Sequence, residues 1–277
     1  MVRQVPLIFI ILGVIGFALL YIPALVMMAF SFNAGKLASV WAGFSTKWYF
    51  ELFQNEQLLA ALSKSLLIAA VAATISTIFG ILIAVCFVRM GRFRGRLLLS
   101  ALASAPLVIP EVVMGLSMLL IFISMETLFG WPAGRGIDTI IIAHATFGMC
   151  FAAVVIQARL RQFDLSLEEA AMDLGARQPY IFFTITLPLI APAIISAWLL
   201  TFTLSFDDLV IASFVSGPGS STLPIVIFSK VRLGVTPEIN AIATLMILTI
   251  AAGVIGGTLL MRRGQKPKLA IDKNMDS

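Results

Sequence analysis

Three carboxylates stand where water is scarce. Glu111, Asp207 and Asp208 fall inside long apolar stretches of the chain. A carboxylate at the centre of a bilayer costs on the order of 3 kcal/mol on insertion scales, so such a group faces protein or water and carries a role. Its oxygens are strong replacements for the water around a cation. A structural job remains open beside that one: Asp207 and Asp208 cap a helix break, or pair with a basic residue of a partner subunit. His144 is the single histidine. Lacking a second metal-type side chain nearby, it reads as a packed or hydrogen-bonded histidine at a helix interface. No nucleophile–base or metal-ligand spacing joins Glu111, Asp207 and His144, so an intramembrane enzyme has no support.

The elements that hold these residues follow from composition. Of the 277 residues, 60% are hydrophobic and 12% charged. Soluble domains average about 25% charged. Six apolar runs reach the length of a membrane-crossing helix, near 6–30, 65–88, 97–123, 139–157, 191–214 and 239–261. They are continuous rather than alternating, which favours helices over a barrel. The first exceeds a secretory h-region and no small-residue cleavage site follows it, so it reads as a retained span. Cys86 and Cys150 lie within spans and read as buried small apolar residues. At about 1.5 Å per residue from the cytoplasmic helix ends, Glu111 comes out roughly 21 Å along its span and Asp207 roughly 24 Å, one shared level. Pro106 and Pro110 predict a bend just before Glu111, which either lines a cavity or shapes packing.

Charge sets the expected orientation. With the N-terminus inside, the inner segments hold Arg3, Arg89, Arg92, Arg94, Arg96, Arg159, Arg161, Arg177, Arg262, Arg263, Lys266, Lys268 and Lys273. The outer ones hold Lys36, Lys47, Lys64, Arg135, Lys230 and Arg232. Thirteen against six places both termini in the cytoplasm. The net charge of +5 then reflects inner loops beside anionic headgroups, not nucleic-acid binding. Trp41, Trp48 and Tyr49 read as outer anchors or as packing for a surface helix. Gly217-Pro-Gly219 and Pro224 read as an outer turn.

The longest inner connection, 158–190, has its own pattern. Ser166 and Glu169 have capping-box spacing. Leu167, Ala170, Ala171 and Leu174 mark one face of a short helix, with Glu168, Glu169 and Asp173 elsewhere on it. Gly175 stands where a left-handed residue ends the helix. A second short helix is expected from Pro179 to Pro188. Interfacial hairpins on lipid carry basic polar faces. Here Asp164, Glu168, Glu169 and Asp173 outnumber Arg159, Arg161 and Arg177, so a protein partner fits better than lipid.

Glu169-Ala170-Ala171, Asp173, Gly175, Ile185, Leu187 and Pro188 together resemble the EAA loop of bacterial ABC-importer permeases. That resemblance implies an all-α membrane protein of the type I importer fold, with six transmembrane helices in a single permease domain over 1–277. It also implies a helix seated in a cleft of a separate cytoplasmic ATPase homodimer. No G-x-x-x-x-G-K-[ST] loop is present, so ATP and Mg²⁺ would be bound by that partner, with no cofactor here and no hydrolysis by this chain. Ser205–Gly219, Thr222-Leu-Pro224, Val235–Ala241 and Trp41-Ala-Gly43 are further similar to polyamine importer permeases. This implies the bacterial inner membrane, a second and different permease as partner, a periplasmic binding protein, and putrescine or spermidine as cargo. For such a polycation, Glu111 with Asp207 or Asp208 is expected to form a transient site in the path. Importers of anions, ferric iron and opines share much of the frame. A secondary transporter, the remaining alternative, would usually show internal repeats, and none is found.

Overall fold

The computed structural model describes residues 7–35, 40–234 and 236–264, and side chains as far as Thr249 together with Ala251. Arg3, Lys36, Lys266, Lys268, Lys273 and Val235 lie outside the described residues, as do the side chains of Arg262 and Arg263. The regular elements among the described residues are all helices, and they form two compact units, one of 1–56 with 229–277 and one of 57–228.

The first unit holds helices α1 (Leu7–Phe30), α2 (Lys47–Gln54) and α12 (Pro237–Gly264). α1 is apolar on every side and buries nothing within the chain, as expected of a helix whose solvent is lipid or another subunit. The α1–α2 connection folds around Asn33, whose side chain accepts from the Ala42 amide at 2.8 Å and donates to the Val40 carbonyl at 2.7 Å. Trp48 is buried there and donates from Nε1 to the Asn33 carbonyl at 2.6 Å, so it packs rather than anchors. Tyr49 shares a 2.7 Å hydrogen bond with Ser31. Trp41 stays half exposed, edge-on to Phe30. Glu238 ties α12 down, accepting from Asn55 at 2.6 Å and from Lys230 at 3.1 Å.

The second unit contains α3 (Glu56–Arg89, from its second residue), α4 (Arg96–Val108), α5 (Glu111–Phe129), α6 (Ile137–Arg161), α7 (Ser166–Asp173), α8 (Gln178–Ile181), α9 (Leu187–Asp207), α10 (Val210–Val215) and the start of α11 (Leu223–Leu233). Helices in lipid gain little from apolar burial against one another and instead approach closely through small residues. α3 offers such a stripe in Ala61, Ser65, Ala69, Ala72, Ala73, Ser76, Gly80 and Ala84, all buried. A Cβ on Gly80 would stand 2.6 Å from the Ala152 Cβ, and one on Gly148 would stand 2.5 Å from Ser76 Oγ, so both glycines are needed for this approach of α3 to α6. Ser76 Oγ donates across the gap to the Ala145 carbonyl at 3.1 Å. Ile68, Phe122, Ile140, Ile211 and Val215 fill the core toward the α5–α6 turn; Ala84, Ile156, Leu160, Ile190 and Ala197 fill it toward α7.

Three expected boundaries change. The run 97–123 is not one helix but α4 and α5, parted at extended Ile109 and Pro110. Proline pushes the residue before it out of helical dihedrals and supplies no amide of its own. α4 alone, at 13 residues, spans about 20 Å. The run 191–214 likewise divides: α9 ends at Asp207, Asp208 is extended, and α10 follows. Finally, Pro188 ends nothing. α8 passes through a π-helical turn, Phe182–Thr186, directly into α9, giving a 30-residue helix over Gln178–Asp207. The π turn alters the hydrogen-bond register just before Pro188, where an amide is missing. The other expected spans correspond to α1, α3, α6 and α12.

Candidate functional site

At one end of the second unit, Gly175 closes α7 with φ +84°. The Gly175 amide bonds the Met172 carbonyl at 2.8 Å, and the Ala176 amide reaches the Ala171 carbonyl at 3.0 Å. This pair is a Schellman closure, which satisfies the last carbonyls of α7 and requires glycine at the left-handed position. Pro179 occupies the first turn of α8 as expected. The capping box does not form. Asp164 accepts the Ser166 amide at 3.0 Å, α7 begins at Ser166 itself, and no side chain of the expected box caps it. That bond holds the exposed Asp164 carboxyl below its ordinary pKa of 3.8.

The predicted apolar face turns away from the unit. Leu167 is 47% exposed and Leu174 90%, Ala170 is exposed and Ala171 half-buried. Glu169 and Asp173 are exposed beside them. Ile185 lies half-buried in the π turn, and Leu187 and exposed Pro188 stand at the head of α9. The motif thus divides between an outward-facing helix and the root of a long one.

Glu168 turns the other way. Its Oε1 accepts from Arg89, the last residue of α3, at 2.7 Å and from Thr186 Oγ1 at 2.5 Å. The Arg89 guanidinium also lies over the Phe163 ring, 5.3 Å from its centroid. A groove of about 290 Å³ opens beside them, bordered by Arg89, Glu168, Glu169, Met172, Gln178 and Phe182. Nothing local marks this trio, since Arg89 and Glu168 are 79 positions apart.

Farther along the unit, the helices that follow the two breaks pack together. α5 packs along α10, with Gly115 so close to Ile211 that a Cβ would stand 3.3 Å from the Ile211 Cα. Glu111 precedes Gly115 by one turn, and Asp207 precedes Ile211 by the same number of residues. Both carboxylates are exposed in the isolated chain. Asp208 is committed elsewhere. It accepts the Ala212 amide at 2.7 Å and the Ile211 amide at 3.3 Å, capping α10. It also lies 3.1 Å from His144 Nε2, while His144 Nδ1 is 2.7 Å from Ser205 Oγ. One assignment satisfies all three groups: Nε2–H donates to the Asp208 carboxylate and the Ser205 hydroxyl donates to Nδ1. His144, 4% exposed, is therefore a hydrogen-bonded interface histidine, and no metal-type cluster exists among the described residues. Cys150 is buried and Cys86 half-buried, both as free thiols. Gly217–Ser220 forms the turn expected there, closed by the Ser220 amide on the Gly217 carbonyl at 3.1 Å.

A family model described as binding-protein-dependent transport system inner membrane component matches residues 76–265. The chain is 53% identical over 262 residues to the putrescine transport system permease protein PotI of Escherichia coli (strain K12), covering 94% of this chain and 92% of that protein. It is 40% identical over 246 residues to the spermidine/putrescine transport system permease protein PotC of the same strain, covering 89% and 90%. Among solved structures, a bacterial ABC transporter involved in the import of the acidic polysaccharide alginate superposes with a TM-score of 0.70 over 94% of this chain and 96% of that one. At 18% identity, that likeness is one of fold.

Proposed function

Because the chain belongs to the family of binding-protein-dependent transport system inner membrane components, we propose that it is the permease subunit of a polyamine ABC importer, passing putrescine or spermidine across the inner membrane. The α7–Gly175–α8 turn is the observation that carries the mechanism. It presents an uncovered apolar and acidic surface on α7, one glycine turn away from the long helix that α8 begins. A cytoplasmic ATPase homodimer seats Ala170, Ala171 and Leu174 in its cleft, with Glu169 and Asp173 at the rim. The ATPase binds ATP and Mg²⁺, and this chain hydrolyses nothing. With α7 on the cytoplasmic side, both termini are cytoplasmic as well, in keeping with the excess of arginine and lysine on that side. The other partners are a second, different permease and a periplasmic binding protein that delivers the cargo.

Glu111 and Asp207 are the pathway carboxylates. A polyamine gives up several tightly held waters on leaving the binding protein, and two exposed carboxylates on neighbouring elements supply charge-assisted replacements. Asp208 stands behind them as the cap of α10 rather than as a direct ligand. The decisive experiment reconstitutes the complex with its binding protein and measures ATP hydrolysis with putrescine, spermidine or a neutral amino acid. Stimulation by a polyamine alone is expected. Absence of a response to either polyamine overturns the cargo, and leaves the importer class in place.

A further inference from the structure

We infer that Glu168, Arg89 and Thr186 form a brace that carries movement of the coupling helix into two membrane helices at once. This rests on the reading of α7 as the ATPase-docking helix. The neighbouring motif residue, Glu169, is solvent-facing; Glu168 is the carboxylate that α7 turns inward. One oxygen of Glu168 receives both Arg89 at 2.7 Å and Thr186 at 2.5 Å. Arg89 ends α3, and Thr186 closes the π turn that roots α9. Arg89 further covers Phe163 in the α6–α7 connection. One side chain therefore links α7 to α3 and α9, while its guanidinium partner also holds the strand of chain that leads into α7.

The burial fits a mechanical part rather than a docking contact. The Arg89 and Glu168 side chains are 20% and 19% exposed, and Thr186 is 2% exposed. The Thr186 hydroxyl, Glu168 Oε1 and one guanidinium nitrogen of Arg89 are spent on one another. Its bonds are charge-assisted, the strongest kind available to side chains. They are also short and direct, whereas the covalent route from α7 to α9 runs round the Gly175 turn and through α8. The brace bypasses that turn. These are positioning residues: they touch neither ATP nor cargo.

The test uses the reconstituted complex with partner permease, ATPase, binding protein and putrescine. Two variants remove the brace at different atoms: Glu168→Gln and the near-isosteric Thr186→Val. Two readouts are taken, ATPase retained on co-purification and putrescine imported per ATP hydrolysed. The expected result is retained ATPase with import per ATP lowered about tenfold, the effect of losing one charge-assisted hydrogen bond in a single state. The exchange Arg89→Glu with Glu168→Arg restores part of it, which a merely structural loss would not do. Wild-type import per ATP in both variants overturns the brace. Loss of the ATPase from both also overturns it, since Glu168 and Thr186 would then serve docking. If Glu168→Gln fails to accumulate, Thr186→Val decides alone. The docking reading fails separately, by normal ATPase retention when Ala171 and Gly175 are substituted.

Discussion

Asp207 and Asp208 are adjacent in sequence, and the structure gives them opposite roles. Substituting each by alanine separates the two. Asp208→Ala removes the cap of α10, worth about 1 kcal/mol. It also strands the Nε2–H of nearly buried His144, a loss of about 2 kcal/mol for an unsatisfied donor. The sum is about 3 kcal/mol of stability. Asp207 makes no hydrogen bond or ion pair among the described residues and is exposed, so Asp207→Ala changes stability by less than about 0.5 kcal/mol. The assays are thermal unfolding of the detergent-solubilised complex and putrescine uptake per assembled complex in vesicles. The expected pattern crosses over: Asp208→Ala melts early with its uptake largely kept at low temperature, and Asp207→Ala melts normally but transports poorly. Equal melting of the two variants would refute the capping argument. Normal transport by Asp207→Ala would remove it from the path.

Other outcomes follow from the same contacts. Glu111→Gln should lower polyamine uptake several-fold while the complex assembles normally, as read by co-purification of the partner permease. Ala171→Glu and Gly175→Asp should release the ATPase without removing the chain from the membrane; the second also costs about 1 kcal/mol because φ is +84° there. Gly148→Leu should destabilise by about 1–3 kcal/mol in thermal unfolding, because its first carbon already overlaps Ser76. Asp164 has a lowered folded pKa, so the stability it lends α7 is complete above its ordinary 3.8 and lost as pH falls through the lower folded value. Asp164→Ala should abolish that acid-side change in hydrogen exchange at the start of α7.

The parts legible in sequence were the local ones. Gly175 announced the end of α7 because only glycine accepts that backbone cheaply, and the signal is a single residue. Pro106 and Pro110 pointed to a bend before Glu111, and the chain goes further and breaks there. Pro188 misled because a proline usually stops a helix, and a π turn just ahead of it is not written in any residue type. Ser166 and Glu169 had the right spacing for a box, but Asp164 competes for the same amide from two residues upstream. The break at Asp208 carries no glycine or proline, and what steadies it includes His144, 64 positions away. The Arg89–Glu168 pair is hidden for the same reason, as long-range partners leave no periodicity.

The unbroken run from Gln178 to Asp207 also has a geometry of arms and pivot. One close approach to α6 is at Thr201, where a Cβ on Gly148 would stand 3.4 Å from the threonine Cβ. From that crossing, the helix extends about 35 Å to Gln178 and about 9 Å to Asp207 at 1.5 Å per residue. Tilting about such a fulcrum exchanges distance for force at roughly four to one. A swing of about 4 Å at the long arm moves the short one by about 1 Å, enough to make or release a carboxylate's hydrogen bond to a cation.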